Sequence, residues 1–386
     1  MRLLDIRSNG VTARVCTLVR IGTLFCLMQG VVVHAWNQAD DFADMHREAG
    51  SLSIKASAGF ESNIFEVNDR REPATGAWFQ ETTIEDTIPL GSGSSWSVTL
   101  EGAWKSFYGY SEADEYLAKP GLAWRVIDDD ATTLTLNAHG ARYRERIHSP
   151  FTRLTEHSEP GWSAGAGWDL ERKLADKEQF TWEGGVDAQW FDSAPQDNFQ
   201  FTSKAAFERQ VGEALAWSVG TKWDFQRYRV RPPDVEVPGN PSDLSTLEGR
   251  LLAGCKWKLG AGWQFELEAS RGGNFDLTNG YYNAGVVGVQ ALLRWDSGPW
   301  KLKLSAETEW VWSGKRDANI NVPGHRLNAR EYVFEAGVEF IVSEHFSVFL
   351  DGSAHLQRVN ADESRDDATL NSFTDRTTRI GVACTF

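Results

Sequence analysis

The chain alternates hydrophobic and polar residues with a period of two over much of its length. Between Trp300 and Trp312, Trp, Leu, Ala and Thr side chains fall on one face, and Lys, Ser and Glu side chains fall on the other. The same alternation recurs at 96–104, 263–270 and 346–356. A period of two predicts β-strands, because successive side chains of a strand point to opposite faces, whereas a helix would spread them around its circumference.

Two features of these strands favour a membrane β-barrel over a soluble sandwich. The apolar face is often bounded at both ends by tryptophan, as with Trp96 and Trp104 or Trp182 and Trp190. Aromatic levels roughly 20 to 25 Å apart match the two interfaces of an outer membrane, where an indole buries its body and keeps its N–H near water. The opposite face carries many carboxylates, which are costly to bury unpaired. That face is therefore expected to be wet.

Short turns alternate with long polar loops along the chain. Turns are expected at 128–130, 211–213 and 297–299, and loops at 147–159 and 231–245. Turns at one rim and loops at the other are typical of outer-membrane barrels, so we predict an all-β fold, a transmembrane antiparallel up-and-down β-barrel of about 16 strands (roughly 14–18), with both ends on the periplasmic side.

Two of the predicted strands carry residues that disturb the pattern. In the strands at 77–90 and 115–127, Asp86 and Pro120 interrupt the apolar, lipid-facing alternation. Proline also lacks the N–H group that a strand donates to its neighbour. These two strands are the weakest of the predicted set.

Composition and charge exclude two other classes of protein. The 386 residues include 17 Trp and 21 Phe, with a formal net charge of -15 and a mean hydropathy of -0.40. Beyond the N-terminal region, no stretch approaches the roughly 20 apolar residues that a membrane-spanning helix needs. The acidic chain has no basic stripe to neutralise phosphates, so we expect no nucleic-acid partner.

The beginning of the chain predicts export. Arginines precede an apolar run, and Val33 and Ala35 are the small residues expected at a cleavage site, so residues 1–35 are predicted to be a signal peptide. Residues 36–50 are expected to form a short periplasmic segment, and 51–386 the barrel. This organisation indicates the outer membrane of a Gram-negative bacterial envelope.

Two cysteines remain in the predicted mature chain. They are Cys255 and Cys384, and their strands are far apart in the predicted barrel. We therefore expect two separate thiols rather than a disulfide.

The C-terminus alternates toward a final Phe386, and this ending resembles the last strand of bacterial outer-membrane β-barrels. The resemblance implies that Phe386 is part of the signal read by the barrel assembly machinery. Cys384 stands where tyrosine is commoner in that family pattern. The fragment GFESNIF, residues 59–65, is similar to a first strand found in several outer-membrane barrels, some associated with surface polysaccharide. Outer-membrane lipid and lipopolysaccharide are further expected partners.

A barrel of about sixteen strands is wide enough to leave an aqueous lumen, so we predict a weakly selective channel for small polar solutes or ions. Acidic residues concentrate on the wall from 266 to 351, partly balanced by basic ones, which indicates a preference for cations. A solvated wall held by cross-strand ion pairs is the alternative interpretation. The predicted pore-lining residues are Glu266, Glu268, Arg294, Lys301, Lys303, Glu307, Glu309, Glu335, Glu339, Asp351 and His355.

The sequence supports other functions less well than a channel. His139 and His355 lie well inside predicted strands, and Asp351, four residues before His355, permits a lumenal hydrogen bond. No G-x-S-x-G motif or Cys/His zinc spacing accompanies them, so we expect neither an enzyme nor a metal or cofactor. A plugged or partner-gated barrel for surface polysaccharide export or surface binding remains an alternative, and a barrel hydrolase is a weaker one.

Overall fold

The computed structural model describes most of the chain from residue 51 to the C-terminus. The described residues are 51–64, 75–90, 95–146, 158–192, 197–228, 244–277, 283–317, 324, 326–360 and 372–386. The predicted signal peptide (1–35) and periplasmic segment (36–50) lie outside them.

Sixteen antiparallel strands form one closed barrel in which each strand pairs with its neighbours in the chain, as predicted. A short 3-10 helix, Ser111–Ala113, lies between the third and fourth strands. The strands are β1 Ser51–Glu61, β2 Ala77–Pro89, β3 Trp96–Phe107, β4 Glu115–Asp128, β5 Thr132–Arg146, β6 Ser158–Ala175, β7 Glu178–Phe191, β8 Asn198–Val211, β9 Leu215–Tyr228, β10 Leu244–Gly260, β11 Trp263–Asp276, β12 Ala284–Ser297, β13 Trp300–Asp317, β14 Arg326–Ser343, β15 Phe346–Val359 and β16 Phe373–Thr385.

The first and last strands close the barrel. β1 pairs with β16 from Ser53, opposite Thr385, to Glu61, opposite Thr377. The pairing continues into the last residue, because the Leu52 amide donates to the Phe386 carbonyl at 3.1 Å and the Phe386 amide donates to the Leu52 carbonyl at 2.9 Å. Phe386 therefore belongs to the closing seam.

The two rims of the barrel differ in their connections. We call the rim that holds Ser51 and Phe386 the terminal rim, and the other the loop rim. Connections at the terminal rim are short, such as 176–177 between β6 and β7, whereas 62–76 and 229–243 connect strands at the loop rim. The strand bounds agree with the predicted short turns, while most residues of the predicted loops 147–159 and 231–245 lie outside the described residues.

The strands present one face outward and one face to the lumen. Outward tryptophans include Trp104, which is 65% exposed, and the stacked pair Trp96 and Trp124, with ring centroids 5.0 Å apart. Cys255 and Cys384 lie on outward faces of β10 and β16 as free thiols, as expected. Within the described ranges, no helix is long and apolar enough to span a membrane.

The two strands predicted to be weakest both form. Asp86 of β2 lies opposite Leu100 of β3, and Leu100 lies opposite Pro120 of β4. Beyond Pro120 the ladder between β4 and β5 is interrupted: it pairs Ala118 with Arg142 and resumes only at Gly121. The missing proline N–H therefore removes part of one ladder without ending the strand.

Candidate functional site

The pairing register places all of the predicted pore-lining residues on lumenal faces. Six of them, together with residues of β1, β2 and β16, line a cavity of about 920 Å³ toward the terminal rim. Their part in permeation stays a prediction. The six are Arg294, Lys301, Lys303, Glu335, Glu339 and Asp351.

Many of these charges are paired between neighbouring strands. Lys303 lies 2.9 Å from Glu335, and Lys301 lies 3.6 Å from Glu339. Arg294 and Glu266 approach to 3.2 Å. Exposed pairs of this kind contribute about 0 to 1 kcal/mol each. The wall therefore has the cross-strand ion pairs that the sequence analysis gave as the alternative to a cation-selective wall. Their side chains remain partly exposed to water.

A longer connection joins β10 to β13. The Arg250 Nη1 atom lies 2.5 Å from Glu309 Oε2, and its Nε atom donates to Glu248. Two strands lie between Arg250 and Glu309, and both present lumenal glycine here, Gly272 on β11 and Gly288 on β12. Because these glycines have no side chain, the long arginine lies along the wall and reaches the third strand.

The network continues to His355, with one correction to the sequence prediction. Glu309 lies opposite Glu331 in the ladder, and His355 Nε2 lies 2.7 Å from Glu331 Oε1. The hydrogen bond permitted by the spacing to Asp351 does not form, because residues four apart on one strand are separated by about 13 Å. Asp351 instead contacts Arg379 Nε at 3.4 Å.

Arg379 also connects two parts of the lumen. Its Nη1 atom lies 2.6 Å from Glu81 Oε2, across β1. Glu81 lines the larger cavity and also a second one of about 530 Å³, bounded by β2 to β7 toward the loop rim. The Glu81–Arg379 ion pair therefore stands where the two cavities adjoin.

The fragment that resembles the first strand of other barrels packs the lumen at the loop rim. Glu61 and Lys105 form an ion pair at 2.6 Å, with side chains 3% and 16% exposed. The Lys105 ammonium lies 4.6 Å from the centroid of the Phe79 ring. A Cβ atom on Gly59 would lie 2.7 Å from Phe79 Cζ, so glycine leaves room for that ring.

The end of the same fragment turns into this packed region. The backbone N–H of Asn63 donates to Asp375 Oδ1 at 2.9 Å. Ile64 is fully buried in a cluster with Phe79 and Phe107. This apolar cluster was not predicted, since alternation alone gave a uniformly wet lumenal face.

A His–Asp pair that sequence reasoning missed lies in the second cavity. His139 Nε2 of β5 lies 2.7 Å from Asp187 Oδ2 of β7. The intervening strand β6 presents Gly165, where a Cβ atom would lie 2.5 Å from Asp187 Oδ2 and 2.7 Å from His139 Cε1. The signal in the sequence was the glycine series of β6, in which Gly161 and Gly165 share the lumenal face.

Comparisons with known proteins agree with this architecture. A family model described as a protein of unknown function, DUF481, matches residues 80–238, which is less than half of the chain. No curated protein matches the sequence. Among solved structures, OccAB3 of Acinetobacter baumannii superposes with a TM-score of 0.51 at 9% identity, covering 88% of this chain and 100% of that one. OccAB1 of the same organism gives 0.50 at 8% identity, covering 88% and 97%.

The chain has the fold of bacterial outer-membrane β-barrels. At such identities the likeness describes the fold alone. The chemistry of this barrel therefore depends on the residues of its own lumen. Among the residues that the structure describes, no three His, Cys, Asp or Glu side chains are grouped so as to hold a metal ion.

Proposed function

We propose that this protein forms a water-filled, weakly selective channel for small polar solutes in the bacterial outer membrane. The observation that carries the proposal is the position of Glu81, which lines both lumenal cavities. One cavity extends toward the terminal rim and the other toward the loop rim. A barrel of sixteen strands is also wide enough for an aqueous path.

The arrangement of the long ion pairs supports an open path. Arg250 reaches Glu309 across two strands, and Arg379 reaches Glu81 across one. Each pair joins residues on the same arc of the wall, so neither pair requires a side chain to cross the lumen.

Uncompensated carboxylates support the proposed preference for cations. Glu268 and Glu307 face the lumen on β11 and β13, and Gln290 of β12 lies opposite both. Neither glutamate forms an ion pair within the described part of the chain, whereas Glu309 is paired with Arg250. Fixed negative charge on a pore wall raises the local concentration of cations.

We infer a channel rather than a hydrolase, because no G-x-S-x-G motif accompanies either lumenal histidine. His139 contacts Asp187, and His355 contacts Glu331 and packs edge-on against Phe373. A hydrolase of this kind would need a nucleophile bonded to the imidazole. The proposal also includes export by a cleaved signal peptide, contact with lipopolysaccharide, and recognition of Phe386 by the assembly machinery.

Single-channel recording of the refolded mature chain in a planar bilayer tests the proposal. Stepwise channel openings are expected, and the reversal potential in a salt gradient should indicate a preference for cations over anions. Arg379→Gln should increase cation preference, because it leaves Glu81 uncompensated, and Glu81→Gln should decrease it. Arg209→Gln is the matched control, since Arg209 pairs with Glu178 on the outward face.

A folded barrel that stays silent would contradict the channel. The second candidate, a plugged or partner-gated barrel for polysaccharide export or surface binding, would then be favoured. The buried cluster of Ile64, Phe79 and Phe107 supports that candidate, because it fills part of the lumen at the loop rim.

A further inference from the structure

The outward face of strands β9 to β16 carries charge of one sign. Among the outward side chains that the structure describes on these strands, every charged one is an arginine, and each lies in the half of its strand nearer the loop rim. The net charge of the chain is -15, so this basic band contrasts with the protein as a whole. The band includes Arg227, Arg271, Arg330, Arg358 and Arg376.

Three of these arginines are neighbours on β14, β15 and β16. Arg330 lies directly opposite Arg358 in the ladder. The Arg358 side chain extends over β16, where its Nη2 atom donates to Thr374 Oγ1 at 2.8 Å and its Nη1 atom donates to the Phe373 carbonyl at 2.9 Å. Arg376 follows two residues after Thr374. We call Arg330, Arg358 and Arg376 the arginine patch.

The positive charge of the patch is not balanced by carboxylates on the same face. Like charges directly opposite each other in a ladder, as Arg330 and Arg358 are, destabilise a sheet. The Arg330 and Arg376 side chains are exposed, and neither forms an ion pair within the described part of the chain. An anionic ligand bound at the patch would offset this repulsion.

The type of cation favours phosphate as the anionic group. Lysines of the same strands, such as Lys256 and Lys301, face the lumen, whereas the outward cations are arginines. A guanidinium group can donate two parallel hydrogen bonds to one phosphate and is more weakly hydrated than an ammonium group. Arginine is therefore the better cation for binding phosphate at a surface next to lipid.

The surroundings of the patch favour a lipid as the carrier of that phosphate. Trp310 lies opposite Arg330, and Phe60, opposite Thr378 of β16, packs against Trp78 with ring centroids 5.5 Å apart. Such aromatic residues mark the level of the headgroups. Nearer the terminal rim, Leu350 and Ile380 lie opposite each other, 52% and 60% exposed, and form an apolar surface.

We propose that the arginine patch binds the phosphate groups of lipopolysaccharide, with its acyl chains against the apolar surface around Leu350 and Ile380. The inference rests on the lipopolysaccharide contact that the proposed function includes, and it deepens that contact by naming the residues and the chemical group. It requires the loop rim to lie in the outer leaflet, as expected for a barrel whose two ends are periplasmic.

Native mass spectrometry of the refolded mature chain in a nonionic detergent tests the patch. The probes are deep-rough lipopolysaccharide and the same lipid after removal of its phosphates. The phosphorylated lipid should bind more tightly. Combining Arg330→Gln with Arg376→Gln should weaken its binding about ten-fold or more, because two cations at the headgroup level are lost. Combining Arg330→Lys with Arg376→Lys should weaken it less, because charge is kept and only the paired hydrogen bonds are lost.

The matched control combines Arg172→Gln with Arg209→Gln. These two changes also remove two outward arginines, on β6 and β8, but near the terminal rim. They should leave the affinity for the phosphorylated lipid unchanged. Heat-modifiable migration in electrophoresis verifies that each variant is folded before its binding is compared.

Three results would overturn the inference. They are equal binding of the phosphorylated and dephosphorylated lipids, equal affinities of the Arg330→Gln, Arg376→Gln variant and the control, or displacement of the lipid by inorganic phosphate alone. Recording in bilayers without lipopolysaccharide separates the patch from the channel. A barrel that conducts but does not distinguish the two lipids removes the patch alone, and one that binds through the patch but stays silent removes the channel alone.

Discussion

Two regions of the lumen contain contacts between side chains of non-neighbouring strands. Between β10 and β13, Arg250 passes over lumenal glycines to Glu309. Between β5 and β7, His139 meets Asp187 over Gly165. In both regions the intervening strands have glycine at the crossing point, which leaves room for the contact.

The regions differ in what remains unsatisfied. Arg250 contacts carboxylates on both sides, Glu248 and Glu309. Among the described residues, Asp187 Oδ1 has no hydrogen-bond partner, and neither does the Tyr143 hydroxyl. A saturated network stabilises the wall, whereas an unsatisfied buried oxygen reduces the net stability that the His139–Asp187 pair contributes. The predictions below test that distinction.

The largest effect is expected from Arg250→Met. It leaves Glu248 and Glu309, whose side chains are 24% and 19% exposed, without their cation and close to Glu331. Breaking a largely buried pair by removing one partner costs about 3 to 5 kcal/mol, and partial exposure should place this change near the lower value. Urea unfolding of the refolded barrel measures it.

A second substitution and a control test the cause of that loss. Adding Glu309→Gln to Arg250→Met should restore part of the stability, because one uncompensated charge is removed. Lys303→Met, in a pair whose side chains are 55% and 46% exposed, should cost about 0 to 1 kcal/mol. Equal losses for Arg250→Met and Lys303→Met would mean that the β10–β13 network has no special structural role.

The next effect is expected from Gly165→Ala. The added methyl would lie 2.5 Å from Asp187 Oδ2 and 2.7 Å from His139 Cε1, so the pair must move. Overpacking of this kind costs about 1 to 3 kcal/mol in unfolding free energy. Gly140→Ala is the control on β5, because the atom nearest to the added Cβ, the Ser163 carbonyl oxygen, would be 3.7 Å away. If Gly165→Ala leaves the unfolding free energy unchanged, β6 does not need glycine at this position.

Face assignment was predictable from sequence because alternation is local. Successive side chains of a strand point to opposite faces whether or not a partner strand is present. The predicted pore-lining residues could therefore be assigned to the lumenal face from the sequence. The strands containing Asp86 and Pro120 also form, since one disturbed position does not outweigh pairing along the rest of each ladder.

Pairing of particular side chains was not predictable in the same way. His355 contacts Glu331 rather than Asp351, because a residue on the neighbouring strand is closer than one four positions along the same strand. Arg250 and Glu309 are 59 residues apart, and their meeting depends on the register of three ladders. Glycine positions such as Gly165 can be read from the sequence, but which side chains make contact across them depends on that register.

A smaller effect is expected from His139→Gln. The His139 and Asp187 side chains are 20% and 25% exposed and border a cavity, so water can reach the carboxylate when the imidazole is lost. The loss should be about 1 kcal/mol in urea unfolding, below that of Arg250→Met. If His139→Gln proves the more damaging of the two, the β5–β7 pair is the structural one and the contrast between the regions is reversed.

The smallest effect concerns ion selectivity. Glu307 forms no ion pair within the described residues, whereas Glu335 is 2.9 Å from Lys303. Glu307→Gln therefore removes uncompensated charge from the lumen and should lower the cation-to-anion permeability ratio by roughly two-fold or less. Glu335→Gln removes the same formal charge, but it also frees the Lys303 ammonium, which then repels cations. If selectivity follows net charge alone, the two variants should give equal reversal potentials in a salt gradient. A larger shift for Glu335→Gln would mean that freed cations, rather than uncompensated carboxylates, dominate the field that a permeating ion meets.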